Sequence, residues 1–141
     1  MQDTPFTYGA DAPLAEMHEL EGHSLPVPLV VRELLWGARA VLVEMSAPAG
    51  FLAASHAHDH ESLVYVVSGR VRATVGDQTR ELGPGDAVLH AVGAAHHIEA
   101  IVDTRWIEVK APPSATWPNA SAAELVLFDA GARWRAVCGW P

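Results

Sequence analysis

The sequence predicts an all-β fold, a single antiparallel barrel or sandwich, and three observations point to it. Between Val27 and Lys110 the chain falls into short β-rich runs separated by Gly, Pro and Asp, the spacing expected of antiparallel strands joined by tight turns. No part of that stretch sustains a helical period. Hydrophobic residues make up 50% of the chain and charged residues 18%, enough apolar side chain to close one core and too little charge for a disordered chain. At 141 residues, one domain is expected.

Taken in order, residues 1–26 are mixed in character and are expected to form a short N-terminal extension, with a helix over Leu14–Leu20. The barrel is expected over 27–110, in the runs VPLVVREL, ARAVLVEM, SLVYVVSG, RVRATVGD, QTRELGPGD, AVLHAVG, HHIEAIV and TRWIEVK. In RVRATV, the polar Arg70, Arg72 and Thr74 alternate with Val71, Ala73 and Val75, which gives one wet and one dry face. LVYVV has no polar alternation and is read as buried on both sides. Ser68-Gly69 and Gly76-Asp77 lie between apolar alternations, where hairpin turns need residues that accept positive φ. Gly83 to Asp86 forms a second breaker.

Residues 111–141 form a C-terminal extension, expected to pack on the barrel or on a dimer partner, and SAAELVLFDAGARWRAV can supply a further strand. Trp117, Trp134 and Trp140 are suited either to covering a barrel mouth or dimer contact, or to sealing the monomer's own core. A homodimer is the expected assembly.

Charge narrows the partners. Nine Lys and Arg oppose seventeen Asp and Glu, a formal net charge of −8, so the average field repels a phosphate backbone and no nucleic-acid partner is expected. Arg70, Arg72 and Arg80 are spread along strands in the manner of a solvated face. A lone cysteine, Cys138, cannot form an intrachain disulfide, which suits a reducing compartment. No cationic-then-apolar leader opens the chain and no apolar run is long enough for a membrane helix. The expected location is cytoplasmic, with no membrane partner.

The histidines are distributed unevenly. His56, His58 and His60 crowd one segment, and His90, His96 and His97 another. Residues two apart on a strand face the same way, so His56 and His58 can present both imidazoles to one point. His96 follows a glycine turn at the start of another apparent strand. If those strands are neighbours, three imidazoles converge on one interior site that suits a divalent transition metal such as Zn, Fe, Cu or Ni. Taken alone, the His-x-His pattern also arises by chance on surfaces.

Two segments carry a family resemblance. Gly50 to Gly69, GFLAASHAHDHESLVYVVSG, resembles the first motif of the cupin superfamily, a glycine followed by His-x-His, usually an acid, and a closing glycine. Gly85 to Ala100, GDAVLHAVGAAHHIEA, resembles the second, a glycine, usually Pro-x-Gly, then His. The resemblance implies a double-stranded β-helix, the jelly-roll barrel of the cupins, and makes His56, His58 and His96 metal ligands with Gly50, Gly69, Gly85 and Gly93 at turns. Three positions depart from the pattern. Ser62 stands where most cupins place a glutamate ligand, Ala91 replaces the proline, and Ala100 replaces the final asparagine.

A serine hydroxyl is a poor ligand beside a carboxylate, so the expected site has three histidines and open positions for water or substrate. Glu61 is out of step with an inward face unless a bulge re-aims it. His60 and His90 are candidates for a fourth ligand; His60 is expected at the surface where the chain turns, and His90 is placed either inward or outward. His97 is expected to point away from the site. Tyr65, Val67, Val88 and Trp106 are expected to line the interior, and Ser62, Tyr65, His90 and Glu108 are the candidate catalytic groups.

Similar cupins imply an enzyme acting on a small organic molecule. With iron this is a non-haem dioxygenase or oxygenase; with Zn or Ni it is a redox-neutral cyclase, isomerase or lyase. A small-molecule-binding cupin without turnover is the reading from a different class.

Overall fold

A computed structural model of the chain describes residues 4–12, 14–112 and 125–127. Every regular element among the described residues is a strand: β1 (Leu14–Leu20), β2 (His23–Trp36), β3 (Val41–Ala47), β4 (Glu61–Ser68), β5 (Val71–Val75), β6 (Gln78–Leu82), β7 (Ala87–His90), β8 (His96–Ala100), β9 (Thr104–Ala111) and β10 (Leu125–Leu127). They form a seven-stranded sheet, in the order β10-β1-β2-β3-β9-β4-β7, and a three-stranded sheet, β6-β5-β8. All the ladders are antiparallel. The chain is thus an all-β double-stranded β-helix, and no described helix is long and apolar enough to cross a membrane.

The segment between β3 and β4 closes the smaller sheet. It runs antiparallel to β8 through Gly50 N to Ala100 O at 2.8 Å, Ala53 N to Ile98 O at 3.2 Å, and a reciprocal pair of bonds between His56 and His96 at 3.0 and 2.9 Å. Two histidines far apart in sequence therefore become direct backbone neighbours.

Strand alternation sets the core. On β3, Val41, Val43, Met45 and Ala47 face in, and on β9, Thr104, Trp106, Glu108 and Lys110 do so. Trp106 and Phe51 are the largest fully buried side chains. Burying one such aromatic contributes on the order of 2–3 kcal/mol. On β5, Val71 and Ala73 are buried while Arg72 is exposed. Arg70 and Arg72 bond Glu81 and Glu99 on the outer face, as a solvated ladder does.

Two expectations are corrected here. Leu14–Leu20 is a strand and not a helix; Ala15, Met17 and Leu20 face the core while the chain pairs with β2 on one side and β10 on the other. Sheet pairing overrides the local helical reading, which is a weak prior in a seven-residue stretch. LVYVV is buried on one face only: Val64 and Val66 face in, whereas Leu63 and Tyr65 are each 51% exposed. An unbroken apolar run does not by itself mean two covered faces.

Residue 27 lies within β2, so the β1–β2 hairpin joins the same sheet as the rest of the barrel. Gly69 turns β4 into β5 with φ 88°, and a Cβ there would collide with Asp103 and Thr104. Trp117, Trp134, Trp140 and Cys138 lie outside the described residues.

Candidate metal centre

His56, His58 and His96 offer one ligand atom each, all within 4.8 Å of one another. Their ring centroids are 4.4–4.9 Å apart. Metal–nitrogen bonds of about 2.1 Å place tetrahedral ligand nitrogens about 3.4 Å apart, so a shared ion requires the widest pair of rings to close by up to about 1.4 Å.

Each ring has its outer nitrogen fixed. His56 Nδ1 donates to Ala54 O at 2.7 Å and His96 Nδ1 donates to Ala94 O at 2.8 Å. A carbonyl only accepts, so both rings carry the proton on Nδ1 and keep the Nε2 lone pair available. His58 Nδ1 bonds the Glu21 carboxylate at 2.9 Å, an arrangement that fixes the tautomer of metal-binding histidines and raises their basicity.

Protonation is suppressed as well. Burial pushes His56 down to about 4 and His58 to about 2, with the Lys110 ammonium adding to both. His96 is lowered by the same burial. Neutral imidazoles are the form a divalent ion requires, and the donor set therefore fits one.

Ser62, on β4, is fully buried and sits between His90 on β7 and Lys110 on β9 in the strand register. Lys110 Nζ donates to Ser62 Oγ at 2.9 Å and pairs with Glu108 Oε2 at 2.6 Å. Trp106 Nε1 donates to Glu108 Oε1 at 2.8 Å. Burial would raise the Glu108 pKa, but the Lys110 ammonium, the His90 ring and these hydrogen bonds hold it far below the usual carboxylate range. Glu108 is consequently an ionised group that anchors a cation.

His90 is 3% exposed; its ring stacks on His96 with centroids 3.8 Å apart, and its Nε2 has no hydrogen-bond partner among the described residues. Burial lowers its pKa to about 3. His60 corrects the expectation of a surface residue. It is fully buried, stacks on His58 at 4.4 Å and bonds Asp59 Oδ1 through Nδ1. Neither His60 nor His90 belongs to the group whose ligand atoms converge.

Tyr65 also departs from expectation. It alternates with the buried Val64 and Val66 and points outward, so it does not line the interior. Val67 is only partly buried next to a register shift in the β4–β9 ladder, and Val88 packs at the core margin. Trp106 does line the site. Glu61 is exposed, in keeping with its parity.

Sequence reasoning missed Lys110 and Glu21. Lys110 shares the parity of Trp106 and Glu108 in TRWIEVK, and that shared face was the available signal. Glu21 carried none, because its link to His58 spans 37 positions.

The cavity at the cluster has a volume of about 30 Å³, with Met17, Met45, Phe51 and Trp106 beside the histidines, Glu108 and Lys110. Its walls are mainly apolar.

The Cupin domain family profile matches residues 43–110, the stretch that carries this cluster. With the fold described above, that match identifies residues 43–110 as a cupin domain. A cupin of the RmlC-like type from Shewanella frigidimarina is 22% identical, with 79% of this chain and 93% of that one covered at a TM-score of 0.64. The polyketide cyclase RemF from Streptomyces resistomycificus is 24% identical, covering 79% and 80% at 0.64. A predicted oxalate decarboxylase from Thermotoga maritima is 16% identical, covering 75% and 97% at 0.66. No curated protein sequence matches the chain significantly.

Proposed function

We propose that this cupin is a metal-dependent enzyme acting on a small organic molecule, with a divalent ion held by Nε2 of His56, His58 and His96. The observation that carries this reading is the convergence of three buried or half-buried neutral imidazoles, each with Nδ1 already bonded. At Ser62 the site has a hydroxyl in place of a carboxylate, which leaves coordination positions for substrate, as catalytic centres do.

Within that class a redox-neutral lyase, cyclase or isomerase is favoured, because a buried ammonium–carboxylate pair lines the same cavity. The ion would supply Lewis acidity toward a carbonyl or a bound water. Lys110 can donate a hydrogen bond to an oxygen that gains negative charge, with Glu108 and Ser62 fixing its direction. His90 Nε2, buried without a partner among the described residues, can hydrogen-bond the substrate or move a proton. The apolar walls exclude bulk water and strengthen each of these interactions. The likeness to a polyketide cyclase accords with this reading.

A second reading, a three-histidine iron oxygenase, is favoured by the neutral ligand set and its open positions. Elemental analysis of protein purified without added metal, combined with oxygen-uptake measurements on small enolisable carbonyl compounds, tests both. Zinc or nickel with turnover and no oxygen uptake supports the first. Iron with stoichiometric oxygen uptake supports the second, and a chain that retains no metal and turns over no substrate overturns both.

A further inference from the structure

We propose that Glu21 is a positioning residue of the metal centre, which makes the β1–β2 hairpin part of the site rather than only an added pair of strands. The proposal rests on the metal-centre reading above. Two of the three ligand rings take their Nδ1 bond from a backbone carbonyl two residues earlier, Ala54 for His56 and Ala94 for His96. Those bonds come with the local chain path. For His58 the corresponding bond comes from the Glu21 carboxylate at 2.9 Å, across 37 positions of sequence.

The turn itself singles out Glu21. Leu20 pairs with His23, so Glu21 and Gly22 are the two central turn residues, and both have positive φ, 47° and 79°. A hairpin turn of that kind favours Asn-Gly, Asp-Gly or Gly-Gly, and a glutamate in the left-handed region is unfavourable for the turn alone. What glutamate provides, and asparagine or glycine would not, is reach. Its side chain is 20% exposed and that of His58 is 3% exposed, so the contact is largely withdrawn from water. By accepting from Nδ1, the carboxylate leaves the Nε2 lone pair of His58 directed at the other two rings.

Three variants of the full chain separate this role from a structural one. Glu21→Ala removes the acceptor. Glu21→Asn suits the turn better than glutamate but is too short to reach His58. Glu21→Gln keeps an accepting oxygen. In competition with a chelator for Zn²⁺, Glu21→Ala and Glu21→Asn should bind about 10–100-fold more weakly than the parent, and Glu21→Gln should recover part of the loss. The metal-free Glu21→Asn protein should unfold at or above the parent's temperature. In long-range ¹H–¹⁵N spectra of the metal-free chain, His58 should be a single Nδ1–H tautomer in the parent and in Glu21→Gln, and a tautomer mixture in the other two. Parent-like Zn²⁺ affinity with an unchanged His58 tautomer in Glu21→Ala and Glu21→Asn would overturn the proposal. Should the parent itself fail to hold Zn²⁺, the metal-centre reading is lost, and the His58 tautomer in the metal-free variants still decides what Glu21 does.

Discussion

Lys110 Nζ lies 2.9 Å from Ser62 Oγ, across a register pair of the β4–β9 ladder. The strand position at which most cupins carry a glutamate ligand therefore holds, in this chain, the anchor of a buried cation. A carboxylate introduced at 62 would meet that ammonium before it met an ion. We expect Ser62→Glu alone to change Zn²⁺ affinity by less than about threefold, since the new carboxylate is held by a charged hydrogen bond of roughly 1.5–3 kcal/mol. Ser62→Glu combined with Lys110→Met should tighten binding, because the carboxylate is then released to the site. Chelator competition measures both, and tightening by the single variant would show that Lys110 does not hold the new group.

The Lys110–Glu108 pair predicts a large and reversible loss of stability. Lys110→Met leaves a buried carboxylate without its ammonium partner and should cost about 3–5 kcal/mol in urea unfolding. Adding Glu108→Gln removes the unpaired charge and should restore more than half of that loss. Additive losses in the double variant would mean that the two groups are not coupled in the folded state.

Much of this arrangement was legible from sequence, and the reason differs by residue. His56 and His58 share strand parity, and the match of two ordered motifs placed His96 beside them, so the histidine cluster and the fold were both readable. Ser62 and Glu108 were readable as inward groups from alternation. Lys110 was not, because a lysine on a strand defaults to the wet face unless a partner is known, and its partners lie on its own strand and on β4. Tyr65 misled because an apolar run says nothing about which face is covered. Leu14–Leu20 misled because Leu14, Met17 and Leu20 recur at a helical spacing, whereas the core face of the strand is Ala15, Met17 and, past a bulge, Leu20.

The buried imidazoles set a pH dependence. In the folded chain His56 is pushed down to about 4, His90 to about 3 and His58 to about 2, with burial as the leading cause in each. In the unfolded chain they return to about 6.5. As pH falls below about 6.5 the unfolded state takes up protons that the folded state does not, so stability declines with acidification. The decline continues until the folded rings themselves protonate, near pH 4 for His56 and lower for the others. Each such ring contributes at most about 1.4 kcal/mol per pH unit in that window. Urea unfolding of metal-free protein at pH 7.5, 6 and 5 should show the loss, and His90→Phe should make the slope shallower. A slope identical in parent and variant would place the His90 ring in water in solution.

Separating the ligands from the rings that stack on them gives the most direct check on the site. Among the described residues, His56, His58 and His96 alone bring ligand atoms together, whereas His90 lies face to face with His96 and His60 with His58. Alanine at 56, 58 or 96 leaves two imidazoles, too few to hold an ion through chelating dialysis, and metal content by elemental analysis should fall to background. His90→Phe keeps an aromatic ring in the stack and removes a buried Nε2 that has no partner among the described residues. It should retain a full metal complement and be neutral to about 1 kcal/mol more stable when metal-free, since removing an unsatisfied buried polar atom offsets a desolvation cost. Its turnover should nonetheless drop, because phenyl offers the substrate no hydrogen-bonding or proton-carrying nitrogen. A His90→Phe protein emptied of metal would instead make His90 a fourth ligand and close one of the positions that the proposed chemistry requires.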